Sequence, residues 1–403
     1  MRIRLRLMVV VFSIIASVSK AQIVTSEDSL ASGLLPAKTS TVLSGYGEAT
    51  ASYDLQEKDG QADLKRIVLF VGHKFNNRIS LFTELELESA VVAGGEEKGE
   101  IAMEQAFLKM NIDPSHYFVA GLFLPRIGII NENHLPTTYS SVERPWVEQL
   151  VIPSTWRELG IGFYGSSNRI RGIHYSVSIT NGLNAAAFES GSGIRGGRQE
   201  GSQAKWAGLA ANASLLYYVN HFRLQTSMYF GGSTAMRASL ADSLGVNHGL
   251  LANPVQLNEF NIQYHNNRLM AKALFCYITV HDAENINRVF ANNTPHSIVG
   301  SYAELGYDVL PKSLQKEGRS ITLFSRGELI NTNQVVAENG IENLANKQLL
   351  VVSGVNYKPI RGVVMKLDYT WKQTGKQNPL LAQQNLPYFT NRGIVSVGIG
   401  YNF

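Results

Sequence analysis

Arg78-Ile79-Ser80-Leu81-Phe82-Thr83-Glu84-Leu85-Glu86-Leu87-Glu88 decides how the whole chain is read. Ile79, Leu81, Thr83, Leu85 and Leu87 point one way, and Ser80, Glu84, Glu86 and Glu88 point the other. A period of two means an extended strand with one apolar face and one wet face. Val363 to Lys372 repeats it, with Val363, Met365, Leu367, Tyr369 and Trp371 against Val364, Lys366, Asp368, Thr370 and Lys372. Working outward, sixteen such strands are expected, at 42–53, 64–75, 78–90, 100–112, 117–124, 157–166, 169–180, 209–219, 222–231, 255–265, 268–280, 297–308, 319–331, 348–357, 362–373 and 393–403. The fourth alternates poorly, as a strand with a β-bulge does.

The connections between these strands alternate in length. Short turns are expected at Asn76-Asn77, 113–116, Ser167-Asn168, Asn220-His221, Asn266-Asn267 and 359–361, with a longer one over 309–318. Long polar connections are expected at 54–63, 91–99, 125–156, 181–208, 232–254, 281–296, 332–347 and 374–392. Loops segregated by length, with both ends of the chain on the short-turn side, predict an all-β fold: a 16-stranded antiparallel transmembrane β-barrel with short periplasmic turns and long extracellular loops. Phe75, Tyr117, Phe118, Phe222, Tyr264, Tyr307, Tyr357 and Tyr401 near the short turns suit a periplasmic aromatic girdle. The last strand sets Val395, Val397, Ile399, Tyr401 and Phe403 on one face.

Composition agrees once the charge is placed. The chain has 403 residues, one cysteine, 17% charged residues and a net charge of +4. Arg2, Arg4 and Arg6, an apolar run over 7–18 and Ser19-Lys20-Ala21 read as a secretory signal peptide over 1–21. That leader holds four cations and no acid, so its removal leaves a mature charge of zero and no case for nucleic acid. A periplasmic segment over 22–41 and a barrel over 42–403 complete the expected order; 22–41 is too short to plug a sixteen-strand lumen. One cysteine excludes a disulfide framework, and nine scattered histidines give no metal spacing, so no cofactor is expected. Gly191–Gly196 fits a G-x-G-x-x-G string but falls in a loop.

Strand parity selects the lumen face: Glu84, Glu86, Glu88, Glu158, Arg223, Glu259, Lys272, Glu304, Arg326, Glu328, Lys366 and Asp368. Charges of both signs suit a water-filled pore, which sixteen strands are wide enough to enclose. Neighbouring Arg326 and Glu328, or Lys366 and Asp368, equally suit paired wall ladders. The longest connection, 125–156, carries four prolines and two tryptophans and too much apolar content for disorder.

The string LPRIGIINENHLPTTYSSVERPWVEQLVIPSTWRELGIGFYG, and within it Asn131–Pro136, Val142–Pro145 and Pro153–Glu158, resembles bacterial outer-membrane porins related to the phosphate-selective porin O and P family, in a Bacteroidota-type branch. The resemblance implies a sixteen-stranded, trimeric, passive channel in the bacterial outer membrane. Its third loop would fold into the lumen, making Arg126, Glu132, His134, Glu143, Arg144, Glu148 and Arg157 candidates for the pore constriction. An apolar last strand ending in Phe403 resembles the signal read by outer-membrane assembly machinery. Outer-membrane lipid and small hydrophilic solutes or ions are the other partners implied. Phosphate-selective members have a lysine ladder and an arginine-rich throat, whereas acids here match or outnumber bases, so anion selectivity is not carried over. The rival readings are a substrate-selective anion or phosphate channel, a barrel enzyme and an adhesin. The enzyme would draw on His174, Ser176 and Ser178, which carry no catalytic motif; a non-enzymatic channel is the expectation.

Overall fold

A computed structural model describes residues 41–89, 100–382 and 387–403. The expected leader and the 22–41 segment, apart from Thr41, lie outside the described residues, as do the whole second long connection and residues 383–386 of the last one. The strands are β1 (Thr41–Asp54), β2 (Asp59–Lys74), β3 (Ile79–Glu88), β4 (Glu100–Asp113), β5 (His116–Phe123), β6 (Glu158–Ser166), β7 (Ile173–Asn181) and β8 (Leu209–Val219). They continue as β9 (Phe222–Gly231), β10 (Val255–Asn266), β11 (Leu269–Val280), β12 (Ser297–Asp308), β13 (Ser320–Val335), β14 (Lys347–Ile360), β15 (Val363–Thr374) and β16 (Asn391–Asn402). Each pairs with its sequence neighbours, and β1 pairs with β16 from Tyr46↔Asn402 to Asp54↔Ile394, so the antiparallel sheet closes into one sixteen-strand barrel. Closure satisfies every ladder within the sheet and leaves no edge.

Alternation decides which face each side chain takes. On β15, Met365, Leu367 and Tyr369 are exposed on the outside, while Val364, Lys366, Asp368 and Thr370 are buried inside. The same outward apolar face runs through Ile161, Phe260, Phe275, Leu305, Leu323 and Ile399. No helix among the described residues is long and apolar enough to cross a membrane; the strands carry the apolar band. Phe75, Phe118, Phe222, Tyr307, Tyr357 and Tyr401 are exposed near the short turns. Tyr117 departs from the expected girdle: it faces inward and stacks on Tyr164, ring centroids 5.2 Å apart.

Several boundaries differ from the sequence reading. The first connection is not long, because β1 and β2 stay paired out to Asp54↔Asp59, leaving only residues 55–58 to turn. The Asp54 carboxylate accepts the Gln56 and Glu57 N–H groups, both at 2.9 Å, which fixes that turn. These outer strand ends are polar, since strand beyond the apolar band has no lipid to face. β7 begins at Ile173 rather than 169, after a turn through Gly172 (φ +86°). β4 does carry a bulge: Glu84 faces Gln105 but Leu85 faces Met103, so Glu104 is the extra residue. Ala102 and Glu104 point inward on one side of it, and Lys109 does so on the other. The bulge shifts the parity by one, which is why the strand alternates poorly in sequence.

The interior is fuller than a water-filled cylinder. The third connection, L3 (residues 124–157), folds into the lumen with a short helix α1 (Val147–Leu150), and L4 (182–208) follows it inward. Two further helices, α2 (Ala238–Leu244) and α3 (Ala283–Phe290), sit in the fifth and sixth loops. Val147, Val151, Ile152 and Trp156 of L3, Leu183, Phe188 and Ile194 of L4 and Ile286 of α3 pack on inward residues of β10–β14, among them Val255, Leu257, Ile278, Ile298 and Leu350. An apolar core thus fills the loop end of the barrel on that side. Wall glycines receive the loop: a Cβ on Gly300 would lie 2.7 Å from Val151, and one on Gly400 2.5 Å from Pro136.

The outward band gives a direct test. Val397→Arg puts a cation on the exposed face of β16 and is expected to cost about 2–4 kcal/mol in lipid vesicles. Ser396→Ala, on the inner face, is expected to cost under ~1.5 kcal/mol in the same denaturant titration.

Candidate functional site: a loop held across the lumen

L3 meets the wall on opposite sides of the ring. The Tyr139 hydroxyl donates to Glu48 of β1 at 2.5 Å, and Gln225 of β9 donates to the Gly128 carbonyl at 3.0 Å. β1 and β9 stand eight places apart in a ring of sixteen, so the loop crosses the full width of the barrel. Between these ends the wall carboxylates hold it by its backbone and hydroxyls. Asp368 accepts the Val142 N–H at 2.6 Å, Glu328 accepts the Val147 N–H at 2.8 Å, and Glu304 accepts the Ser140 hydroxyl at 2.7 Å. Lys366 donates to the Ser141 carbonyl at 2.9 Å, and Lys272 lies 3.4 Å from the Thr138 carbonyl.

Glu148 organises the loop itself. Gly128 turns with φ +76°, and a Cβ there would lie 2.6 Å from a Glu148 carboxylate oxygen. The turn aims the Ile129 and Ile130 N–H groups at that carboxylate, both at 2.7 Å, and Tyr302 of β12 donates to its other oxygen at 2.6 Å. Burial pushes the Glu148 carboxyl above the usual range, against the pull of those hydrogen bonds.

The other expected constriction residues divide into separate partnerships. Arg126 pairs with Glu132 at 2.6 Å, Glu143 with Lys65 of β2, and Arg157 with Glu200 of L4 at 2.9 Å. His134 reaches the wall, with its Nε2 3.2 Å from Glu104 and 3.5 Å from Glu84. Burial alone would lower its pKa, but the two carboxylates outweigh that and hold the imidazole up to about 10. Arg144 is buried, and its Nε and Nη2 have no hydrogen-bond partner among the described residues.

Of the expected lumen row, Glu84, Glu86, Glu158, Glu259, Glu304, Arg326, Glu328, Lys366 and Asp368 are buried, and Glu88, Arg223 and Lys272 are half-buried. The buried members meet protein groups rather than open water, which departs from the picture of charges lining a wide aqueous bore. Arg326 bridges Glu328 at 2.8 Å and Glu304 at 3.0 Å, an inner-wall ladder. Glu158 accepts the Trp156 indole N–H at 3.0 Å, and Glu259 accepts the Asn261 amide at 2.7 Å. Arg223 lies over the Tyr218 ring at 5.8 Å. Lys366 and Asp368 each hold L3, and Lys366 sits over the Tyr139 ring at 3.6 Å. His174 packs edge-on against Tyr218, and Ser176 shares a hydrogen bond with Ser214.

Sequence reasoning missed Glu48, Arg66 and Glu104. Arg66 spans Glu48 at 2.8 Å and Glu86 at 3.1 Å. The parity of β1 and β2 would have found the first two; the bulge hid Glu104. At the short-turn end a cavity of about 120 Å³ remains, with Phe70, Phe82, Phe107, Tyr117 and Tyr164 around it and residues 132–135 of L3 on one side.

Glu148→Ala removes the acceptor for two buried N–H groups, each costing about 1–3 kcal/mol when orphaned. Hydrogen exchange is expected to accelerate at Ile129 and Ile130 while the barrel ladders keep their protection. Unchanged exchange in L3 would mean that other contacts fix the turn.

No family model matches the sequence. The barrel is similar to the outer membrane channel DcaP of Acinetobacter baumannii, with a TM-score of 0.55 and 13% identity over 90% of this chain and 97% of that one. It is also similar to an anion-selective porin from Comamonas acidovorans (TM-score 0.52, 11% identity, 90% and 99% covered). A third likeness is to OmpT of Vibrio cholerae in its trimer form (TM-score 0.52, 12% identity, 90% and 99% covered). At these identities the likeness is one of fold. An uncharacterized protein of Aquifex aeolicus (strain VF5) is 30% identical over 355 residues, spanning 84% of this chain and 77% of that one. The chain therefore belongs to the family of that Aquifex protein, and its fold is the sixteen-stranded barrel of outer-membrane porins.

Proposed function

We propose that this protein is a passive outer-membrane channel for small hydrophilic solutes or ions, with a bore set by L3. The observation carrying this reading is a loop tied to opposite walls inside a closed barrel with an apolar outer face. The apolar band fits a lipid surround, and an inward loop leaves only narrow passages for water and solutes. On this reading residues 1–21 direct export, the protein resides in the bacterial outer membrane, and β16 is the strand recognised during assembly. A homotrimer follows by analogy with the OmpT trimer form. The phosphate-porin kinship rests on the L3 motifs. The loop, including Arg126, Glu132, His134, Glu143, Arg144, Glu148 and Arg157, would act as a unit, most of its members by holding shape and Arg144 by contact with passing ions.

The charge around Arg144 speaks to selectivity. Glu48, Glu86 and Glu104 act on it electrostatically, Glu88 acts on Glu86 beside it, and Arg66 and Arg195 are neighbouring guanidinium groups. Carboxylates outnumber guanidinium groups there, which favours cations over anions. A preference for anions would be the second reading, supported by the unpartnered Arg144 nitrogens alone.

Planar-bilayer recordings of folded protein are expected to show stable openings, in threes for a trimer; folded protein that never conducts would overturn the channel reading. In a salt gradient, the reversal potential is expected to show a weak cation preference, and Arg144→Gln should strengthen it. An unchanged potential in Arg144→Gln would make that residue part of the loop's architecture only.

A further inference from the structure

We propose that Glu84, Glu104 and His134 form a binding site for one divalent transition-metal ion of the zinc class. The site arises from two local events already described. The bulge turns Glu104 of β4 into the lumen beside Glu84 of β3, and L3 brings His134 down onto both. One ligand atom from each of the three lies within 4.8 Å of the others, and all three residues are buried.

The geometry fits a metal better than a hydrogen-bonded triad. His134 Nε2 stands 3.2 Å from Glu104 and 3.5 Å from Glu84 and has no hydrogen-bond partner among the described residues, although the residue is only 5% exposed. Charge-assisted N–H···O bonds run to about 2.7–2.9 Å. The edge of a tetrahedron whose metal–ligand bonds are about 2.0–2.1 Å is roughly 3.3 Å, and the two His134–carboxylate separations bracket it. Nδ1 of the same ring lies 3.1 Å from the Asn131 carbonyl. A carbonyl can only accept, so Nδ1 carries a hydrogen, and a metal ion that displaces the proton from Nε2 meets a lone pair aimed at the carboxylates. The carboxylates are themselves oriented: Thr155 at 2.6 Å and Tyr46 at 3.1 Å donate to Glu104, and Gln105 donates to Glu84 at 2.7 Å.

Charge and access point the same way. Glu48, Glu84, Glu86 and Glu104 lie close together with Arg66, Arg144 and, beside Glu48, Lys366, so carboxylates outnumber the side-chain cations when His134 is neutral. A proton on His134 is the competing occupant. Glu84 and His134 both line the cavity at the short-turn end, which gives an ion a route to the site and a place for water or a solute as fourth ligand. One imidazole and two carboxylates suit zinc or cobalt better than magnesium or calcium. Bound there, the ion would staple L3 to β3 and β4.

The test uses the full-length protein folded in detergent, stripped with a chelator and titrated with Zn²⁺ alone. One ion per chain is expected, with affinity falling at least tenfold in Glu104→Gln and in His134→Ala. Glu84→Gln, the mildest change, serves as a second variant if either of these fails to fold, as judged by gel migration and circular dichroism. Co²⁺ should give the visible bands of a tetrahedral nitrogen–oxygen site in the wild type and lose them in the variants. His248→Ala, which removes the exposed His248–Asp242 pair, should bind as the wild type does. Absence of stoichiometric binding by folded wild type, or equal binding in the Glu104, Glu84 and His134 variants, would overturn the proposal and leave a protonated ion triad.

Discussion

Carboxylates buried on the inner wall of a β-barrel must find donors, and in this protein one loop supplies donors to four of them. Asp368 and Glu328 take backbone N–H groups of L3, Glu304 takes a hydroxyl, and Glu48 takes a phenol. A buried ionised group without a partner would cost several kcal/mol. The wall therefore cannot release the loop without a large penalty, and the loop cannot settle elsewhere without leaving those acids orphaned. The position of L3, the apolar packing of Trp156 and Val147 behind it and the small residual cavity all depend on that mutual satisfaction.

The barrel was legible in the sequence because lipid enforces a strict pattern. Strands such as β3 and β15 alternate because one face meets hydrocarbon and the other does not, and that signal survives without any knowledge of neighbours. It fades where lipid ends. The polar continuation of β1 and β2 to Asp54 and Asp59 reads as loop, since no apolar face is required there. It also fails on β4, where one inserted residue shifts the parity partway along, so that Glu104 and Lys109 both point inward although their positions differ by an odd number.

The interior was less legible, for a different reason. Parity reports which residues point inward but not what they meet. Val255, Leu257, Ile278 and Leu350 are inward positions on the wall, and only the arrival of L3 and L4 makes them a core rather than a pore lining. Arg326 and Glu328 show the same ambiguity: their spacing suits a ladder or a throat, and the ladder is what forms. The association of His134 with Glu84 and Glu104 depends on a loop conformation set partly by Gly128 and Glu148, far from the wall pattern.

A loop tied across a wide barrel predicts a narrow bore, and size exclusion measures this directly. Conductance would be followed in planar bilayers while neutral polymers of increasing radius are added to the bath. Only the smallest polymers are expected to enter and reduce the current, with a cut-off far below the width of an open sixteen-stranded barrel. Entry of polymers as large as such a barrel admits would contradict it, because L3 would then not lie across the lumen in the conducting protein.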